Sequence, residues 1–116
     1  MLDIQELPLF KSVFDLLRVF NNLRGKMPKA SRYTLGERIE DELLGMLVDI
    51  MEAGRVQKQI KNPILERAMR RNDTLKVLFR LAGATDVIPE KEYHSFQASL
   101  QQCGSMLGGW RRKSMQ

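Results

Sequence analysis

At 116 residues the chain has the size of one domain, and an apolar share of 43% can fill one core. Charged residues make up 28%, and no apolar run approaches the roughly 20 residues of a membrane helix. A single cysteine, Cys103, and a single histidine, His94, exclude an intramolecular disulfide and an ordinary zinc site, which takes about four N/S ligands.

The N-terminus, Met1 to Glu6, is mixed and acidic, which does not suit a signal peptide. With no disulfide to call for an oxidising compartment, the expected location is the cytoplasm. Pro8 opens the first predicted helix, about Leu9 to Arg24, and Gly25 closes it; Pro is favoured in a first helical turn and Gly just past the last. Phe10, Val13, Phe14, Leu17 and Phe20 make its core stripe. Leu16, Val19 and Leu23 form a second apolar stripe, rotated about 120° from the first.

The second helix is expected from Thr34 to about Gln57. Thr34-Leu35-Gly36-Glu37 fits a capping box, in which the hydroxyl takes the amide three residues on and the carboxylate reaches back. Leu35, Ile39, Leu43, Met46, Leu47 and Ile50 line one face, and Leu44 and Val48 lie off it. Asn62-Pro63 reads as an N-cap and first-position proline, opening a third helix to about Leu81 with Gly83 as the stop. Its core face is Ile64, Ala68, Leu75, Leu78, Phe79 and Ala82, with Val77 and Leu81 off that face. Pro89-Glu90 opens the fourth helix, to about Arg112. There Tyr93, Phe96, Leu100, Cys103, Leu107 and Trp110 repeat at a spacing of three and four, a bundle seam. Acids in its first turn and Arg111, Arg112 and Lys113 in its last complement the helix dipole.

Short connections favour antiparallel neighbours. The predicted fold is all-α: an antiparallel up-down-up-down four-helix bundle over residues 9–113, with tails at 1–8 and 114–116. A bundle needs one buried face per helix. The surplus apolar positions Leu16, Val19, Leu23, Val77 and Leu81 therefore point to burial against other subunits.

The charge is one-sided. Residues 1–50 hold seven basic and eight acidic side chains, whereas residues 51–116 hold twelve and six. Eight basic residues lie between Arg55 and Arg80, against Glu66 and Asp73 alone. Such a region attracts polyanions. Lys76 and Arg80, one turn apart, share a face away from the core stripe. Arg80 is the stronger phosphate ligand because its guanidinium can bond in two places. Arg67, Arg70 and Arg71 point in other directions, and Arg71 falls near the apolar stripe, a place that suits a snorkelling side chain, a pair with a carboxylate of a neighbouring helix, or a subunit interface. Arg55, Lys58 and Lys61 lie at the turn before the third helix and share a pole with Arg111, Arg112 and Lys113. Trp110 is the one aromatic near that pole and fits the core, so the pattern speaks for phosphate contact rather than base readout.

Chemistry is otherwise sparse. His94 and Cys103 would point about 180° apart on a helix, so a nucleophile pair is not formed. No phosphate-cradling glycine loop occurs. Glu37 and Asp41 supply too few oxygens for a divalent ion, while Glu37, Glu40, Asp41 and Glu42 together could meet basic residues of another subunit. Neither a cofactor, a metal nor an enzymatic activity is expected.

Three stretches resemble one family: Met27-Pro28-Lys29-Ala30-Ser31-Arg32-Tyr33-Thr34-Leu35-Gly36-Glu37-Arg38-Ile39, Leu75-Lys76-Val77-Leu78-Phe79-Arg80-Leu81-Ala82, and Gly104-Ser105-Met106-Leu107-Gly108-Gly109-Trp110. In this order they resemble the accessory variability determinant (Avd) proteins of diversity-generating retroelements. They equally resemble the related four-helix proteins encoded in intervening sequences of bacterial 23S ribosomal RNA. The resemblance implies a homopentameric ring with a basic surface and no active site of its own. It also implies binding to the element's reverse transcriptase and to template RNA or an RNA–cDNA hybrid during mutagenic cDNA synthesis. By position, Lys76 and Arg80 become the leading nucleic-acid-binding residues, followed by Arg67, Arg70 and Arg71, with Arg55 and Lys58 at the adjoining turn. The alternative is a structural or protein-interaction oligomer of the intervening-sequence type that binds no nucleic acid.

Overall fold

A computed structural model describes residues 3–116; Met1 and Leu2, at the start of the expected tail, lie outside the described residues. The described residues are all helical or connecting, with no strand. Four long helices, α1 (Pro8–Arg24), α3 (Leu35–Arg55), α4 (Lys58–Ala84) and α5 (Glu90–Ser114), are joined by a one-turn helix, α2 (Lys29–Arg32). The body measures 45 × 20 × 20 Å, and α4 alone, at 27 residues, is about 40 Å long at 1.5 Å per residue. In cross-section α1 packs on α3 and α5, α3 on α4, and α4 on α5. Side chains of all four close the core: Val13 and Phe20 from α1, Ile39, Leu43 and Ile50 from α3, Leu65, Leu75 and Phe79 from α4, Leu100 and Leu107 from α5.

Helix α1 turns inward an arc shifted from the one its first stripe suggests. Phe10, Val13 and Phe20 of that stripe are buried together with Leu9, Leu16 and Leu23, while Phe14 is 52% exposed and Leu17 only partly covered. Leu16 and Leu23, expected to meet another subunit, therefore sit in the chain's own core. Val19 remains open, as do Val77 and Leu81. The reason is geometric. Both stripes are apolar, and α1 rests in the groove between α3 and α5, so the buried arc is centred between the stripes and only their outer edges reach solvent.

Two helix starts also differ from their sequence signals. The Thr34 hydroxyl makes no cap to α3; it donates instead to the carbonyls of Ala30 (3.0 Å) and Ser31 (3.4 Å). Helix α2 ends just before Thr34, and its free carbonyls claim the hydroxyl. Helix α4 begins four residues ahead of Asn62, so Pro63 lies inside it. The missing Pro63 amide would have met the Gln59 carbonyl, but Gln59 and Pro63 are both exposed and water can take its place. The early start has a use: it carries Lys61 back over the end of α3, where its ammonium donates to the carbonyls of Ala53 and Val56. At the chain's start, Ile4–Glu6 form a short 3-10 turn within the expected tail. Ile4 packs where Gly54 leaves room; a β-carbon at Gly54 would come within 2.5 Å of it.

The stretch Met27–Ile39 staples α1 to α3. Arg24 Nε donates to the Arg32 carbonyl (2.9 Å), and its Nη1 pairs with Glu40 (3.0 Å). Arg32 Nη2 in turn donates to the carbonyls of Gly25 (3.0 Å) and Met27 (3.2 Å).

Candidate nucleic-acid interface

Helix α4 distributes its basic side chains over three directions, and each direction has a different fate. Toward α3, Arg67 Nε donates to Asp49 Oδ1 (2.8 Å) and its Nη2 to Glu52 (2.8 Å). Arg71 Nε donates to Asp49 Oδ2 (3.1 Å), with Glu42 at 3.4 Å. Asp49 is a buried carboxylate whose two oxygens are thus both held. The hydrogen bond and charge of Asp49 push the Arg67 pKa further up, followed by smaller help from Glu52 against the cost of burial. Gly45 makes the arrangement possible: a β-carbon there would lie 2.5 Å from Arg71 Nη1. Arg67 and Arg71 are thereby engaged in joining two helices, and their charges are neutralised.

Outward, Arg70 is exposed alongside Val77 and Leu81. Toward α5 lie Lys76 and Arg80. Lys76 Nζ bonds only the neutral amide of Gln101 (3.1 Å), and its own carbonyl accepts from Gln97 Nε2 (2.8 Å). Arg80 is exposed. Among the described residues, none of Arg70, Lys76 and Arg80 forms an ion pair. Asp73 lies beside Lys76, and Asp86 and Glu90 line a hollow with Arg80, but none of these acids pairs with the two basic groups, whose charges stay open to solvent.

The pole expected to gather six basic residues is also in place, with two of them engaged. Arg111 bonds Asn62 Oδ1 (3.0 Å) and Glu66 (2.9 Å), which brings the end of α5 to the start of α4. Lys61 lies 5.8 Å from the centre of the Trp110 ring while capping α3. Arg55, Lys58, Arg112 and Lys113 stay exposed.

Gly104 sets the approach of α5 to α4. A β-carbon there would come within 3.0 Å of Asn72 Nδ2, the amide that donates to the Leu100 carbonyl (3.0 Å) inside the core. That register carries the start of α5 past Arg80, so Tyr93 and His94 line one hollow with it. Sequence reasoning missed this pairing. The signal was available: Arg80 lies four residues before the end of α4 and His94 four residues after the start of α5, which face each other across a helical hairpin.

The remaining titratable groups do less. Burial pushes the Cys103 thiol up, with a hydrogen bond to Ser12 opposing, so the thiol is held protonated in the core. The acidic patch of α3 is partly engaged: Glu40 pairs with Arg24, and Glu42 with Arg38 (3.2 Å) and Arg71. No group of three or more His, Cys, Asp or Glu side chains converges as metal ligands among the described residues. No helix there is long and apolar enough to cross a membrane.

These features define an all-helical module in which α4 carries unpaired basic side chains at its surface and is joined to α3 by ion pairs around one buried carboxylate. The chain belongs to the bAvd-like family, whose pattern it matches over residues 9–114. Among proteins of curated function, none matches the chain.

Proposed function

We propose that this protein is a non-catalytic accessory subunit of a diversity-generating retroelement. In this reading, residues 9–113 form one antiparallel up-down-up-down bundle that assembles into a ring in the cytoplasm, most simply a homopentamer. The ring holds template RNA, or the RNA–cDNA hybrid, against the element's reverse transcriptase. The observation that carries the reading is the pair Lys76 and Arg80, one turn apart on the side of α4 toward α5 and in no ion pair, in a member of the bAvd-like family. Arg55 and Lys58 extend the positive surface at one pole. Arg67 and Arg71 have a supporting part, since their charges face Asp49.

The antiparallel arrangement is supported by the order of contacts. Along α3 and α4, Glu42 meets Arg71 while Glu52 meets Arg67; along α4 and α5, Glu66 meets Arg111 while Lys76 meets Gln101. Ring assembly is supported by two separate exposed apolar faces, Phe14, Leu44 and Val48 on α1 and α3, and Val77 and Leu81 on α4. Two unlike faces suit a head-to-tail contact, which closes into a ring when the rotation allows. Light scattering should return a multiple of 13.4 kDa, five-fold for the pentamer, and Val77→Glu with Leu81→Glu should dissociate the assembly without loss of helicity. A mass of 13.4 kDa at micromolar concentration rejects the ring.

The binding test is the double change Lys76→Ala and Arg80→Ala. Contacts that Lys76 and Arg80 make to phosphate release counterions, so their share of the affinity falls steeply with salt and does not depend on base sequence. The variant should stay oligomeric, bind RNA more weakly and show a shallower salt dependence, about two units less in slope per bound subunit. Repetition around a ring multiplies a weak contact, so the loss in the assembly should exceed that of one site. If affinity and slope are both unchanged, the structural oligomer of the intervening-sequence type becomes the better reading.

A further inference from the structure

The hollow at the α4–α5 turn has a composition that phosphate binding alone does not explain. It encloses about 310 Å³ between Arg80, Gly83, Asp86, Ile88, Tyr93 and His94, with Glu90 beside them. Its floor is apolar: Ile88 is buried, and Gly83 lets the Tyr93 ring lie where a β-carbon would approach to 2.9 Å. The rings of Tyr93 and His94 meet edge to face, 5.1 Å between centres. The His94 side chain is 67% exposed, with its Nε2 at 3.4 Å from Glu90 Oε1, so its ring faces solvent beside the Arg80 guanidinium, which forms no ion pair.

We infer that this hollow seats one unstacked base of a single-stranded RNA, with its phosphate on Arg80 and the strand running on toward Lys76. The inference rests on the reading of the Lys76–Arg80 face as an RNA surface, and it names the form of RNA. Aromatic and guanidinium planes bind bases by stacking, and only an unpaired base offers them a free face. A duplex could use Lys76 and Arg80 but not the hollow. The two carboxylates fit a base better than a phosphate. Asp86 and Glu90 repel an anion from the interior, which leaves the phosphate outside at Arg80. They accept hydrogen bonds from an exocyclic amino group, as acidic side chains do from cytosine. Uracil has no such group. Asp86 holds a left-handed backbone, φ 58°, which aspartate and asparagine tolerate better than most residues. An Asp86→Asn change therefore removes the charge without disturbing the turn.

The experiment measures binding of fluorescent single-stranded oligocytidine and oligouridine of about 12 nucleotides, within the usual site sizes, and of a duplex of equal length, at two salt concentrations. The wild-type protein should bind oligocytidine more tightly than the duplex and than oligouridine. His94→Ala should weaken single-strand binding about five-fold or more, the low end of one lost base stack. Its salt slope and its duplex affinity should be unchanged. His94→Phe should restore the loss, and Asp86→Asn should narrow the preference for cytidine over uridine. Equal binding of duplex and single strand by the wild type, or an unchanged single-strand affinity in His94→Ala, overturns the inference and leaves the phosphate surface standing. A wild-type protein that binds none of the three probes overturns both.

Discussion

Replacing Phe79 by alanine should lower the unfolding free energy by about 3–5 kcal/mol, the usual range for a large aromatic removed from a core. Phe79 is fully enclosed and is the centre of three rings drawn from three helices. It stacks on Phe96 of α5 with 4.4 Å between centres and an interplanar angle of 15°. It meets Phe20 of α1 edge to face at 5.5 Å, and Phe20 meets Phe96 likewise at 6.0 Å. Such pairs add about 0.5–1.5 kcal/mol beyond their buried area. An alanine strands two rings at once, and helices joined along their whole length cannot close the gap. The melting temperature should fall by roughly 4 °C or more per kcal/mol, measured at one protein concentration because assembly would stabilise the fold. Phe79→Leu, which keeps most of the volume, should cost far less. A Phe79→Ala protein that melts within a degree or two of the parent would remove the trio from the account of the core.

The second large effect lies in the charged seam between α3 and α4. The double change Arg67→Met and Arg71→Met should destabilise the protein by about 3–5 kcal/mol, because it leaves the Asp49 carboxylate buried with no counter-charge. The Asp49 side chain is only 4% exposed, so water cannot replace the two guanidinium groups. Either single change should cost less, since the other arginine still holds one carboxylate oxygen. Adding Asp49→Leu to the double variant should restore most of the stability, because an apolar seam of similar volume has no charge to strand. Urea titration of the parent, the two single variants, the double and the triple gives the comparison directly. A double variant within about 1 kcal/mol of the parent, below the range of a stranded charge, would show that Asp49 finds another partner. The same cycle separates fold from binding: if Arg67 and Arg71 act on stability alone, the triple variant should retain the RNA affinity of the parent.

Much of the architecture was legible in residues that answer to local rules. Pro8, Gly25, Pro89 and Glu90 mark helix ends because proline and glycine restrict or free the backbone wherever they stand. The seam Phe96, Leu100, Cys103 and Leu107 is buried as its spacing requires, since α5 carries one apolar stripe and has one way to hide it. The place of Arg71 at the edge of the α4 stripe left a snorkelling side chain, a carboxylate of a neighbouring helix and a subunit interface open; the structure gives it Asp49 and Glu42.

Other features depend on neighbours that no local window contains. Helix α1 has two apolar stripes, and hydrophobicity alone cannot choose between them; the groove between α3 and α5 buries Leu16 and Leu23 and leaves Phe14 outside. Thr34 carries an N-cap signal, yet the nearer carbonyls of Ala30 and Ser31 compete for the same hydroxyl. Arg67 and Arg80 are both basic, both on α4 and both candidate phosphate ligands in the sequence, where only their direction on the helix differs. What separates them is whether α3 presents Asp49 or α5 presents an open hollow.

By itself, then, the sequence determined the helical class, most helix limits, the one-sided charge and the kinship with the bAvd-like family. All of these rest on residue types and spacings within a turn or two of the chain. Tertiary structure alone decided which arginines are neutralised, which arc of α1 is buried and which aromatic rings stand beside Arg80. Each of those depends on side chains 13 residues or more apart in the chain, and packing of one helix against another is what brings them together.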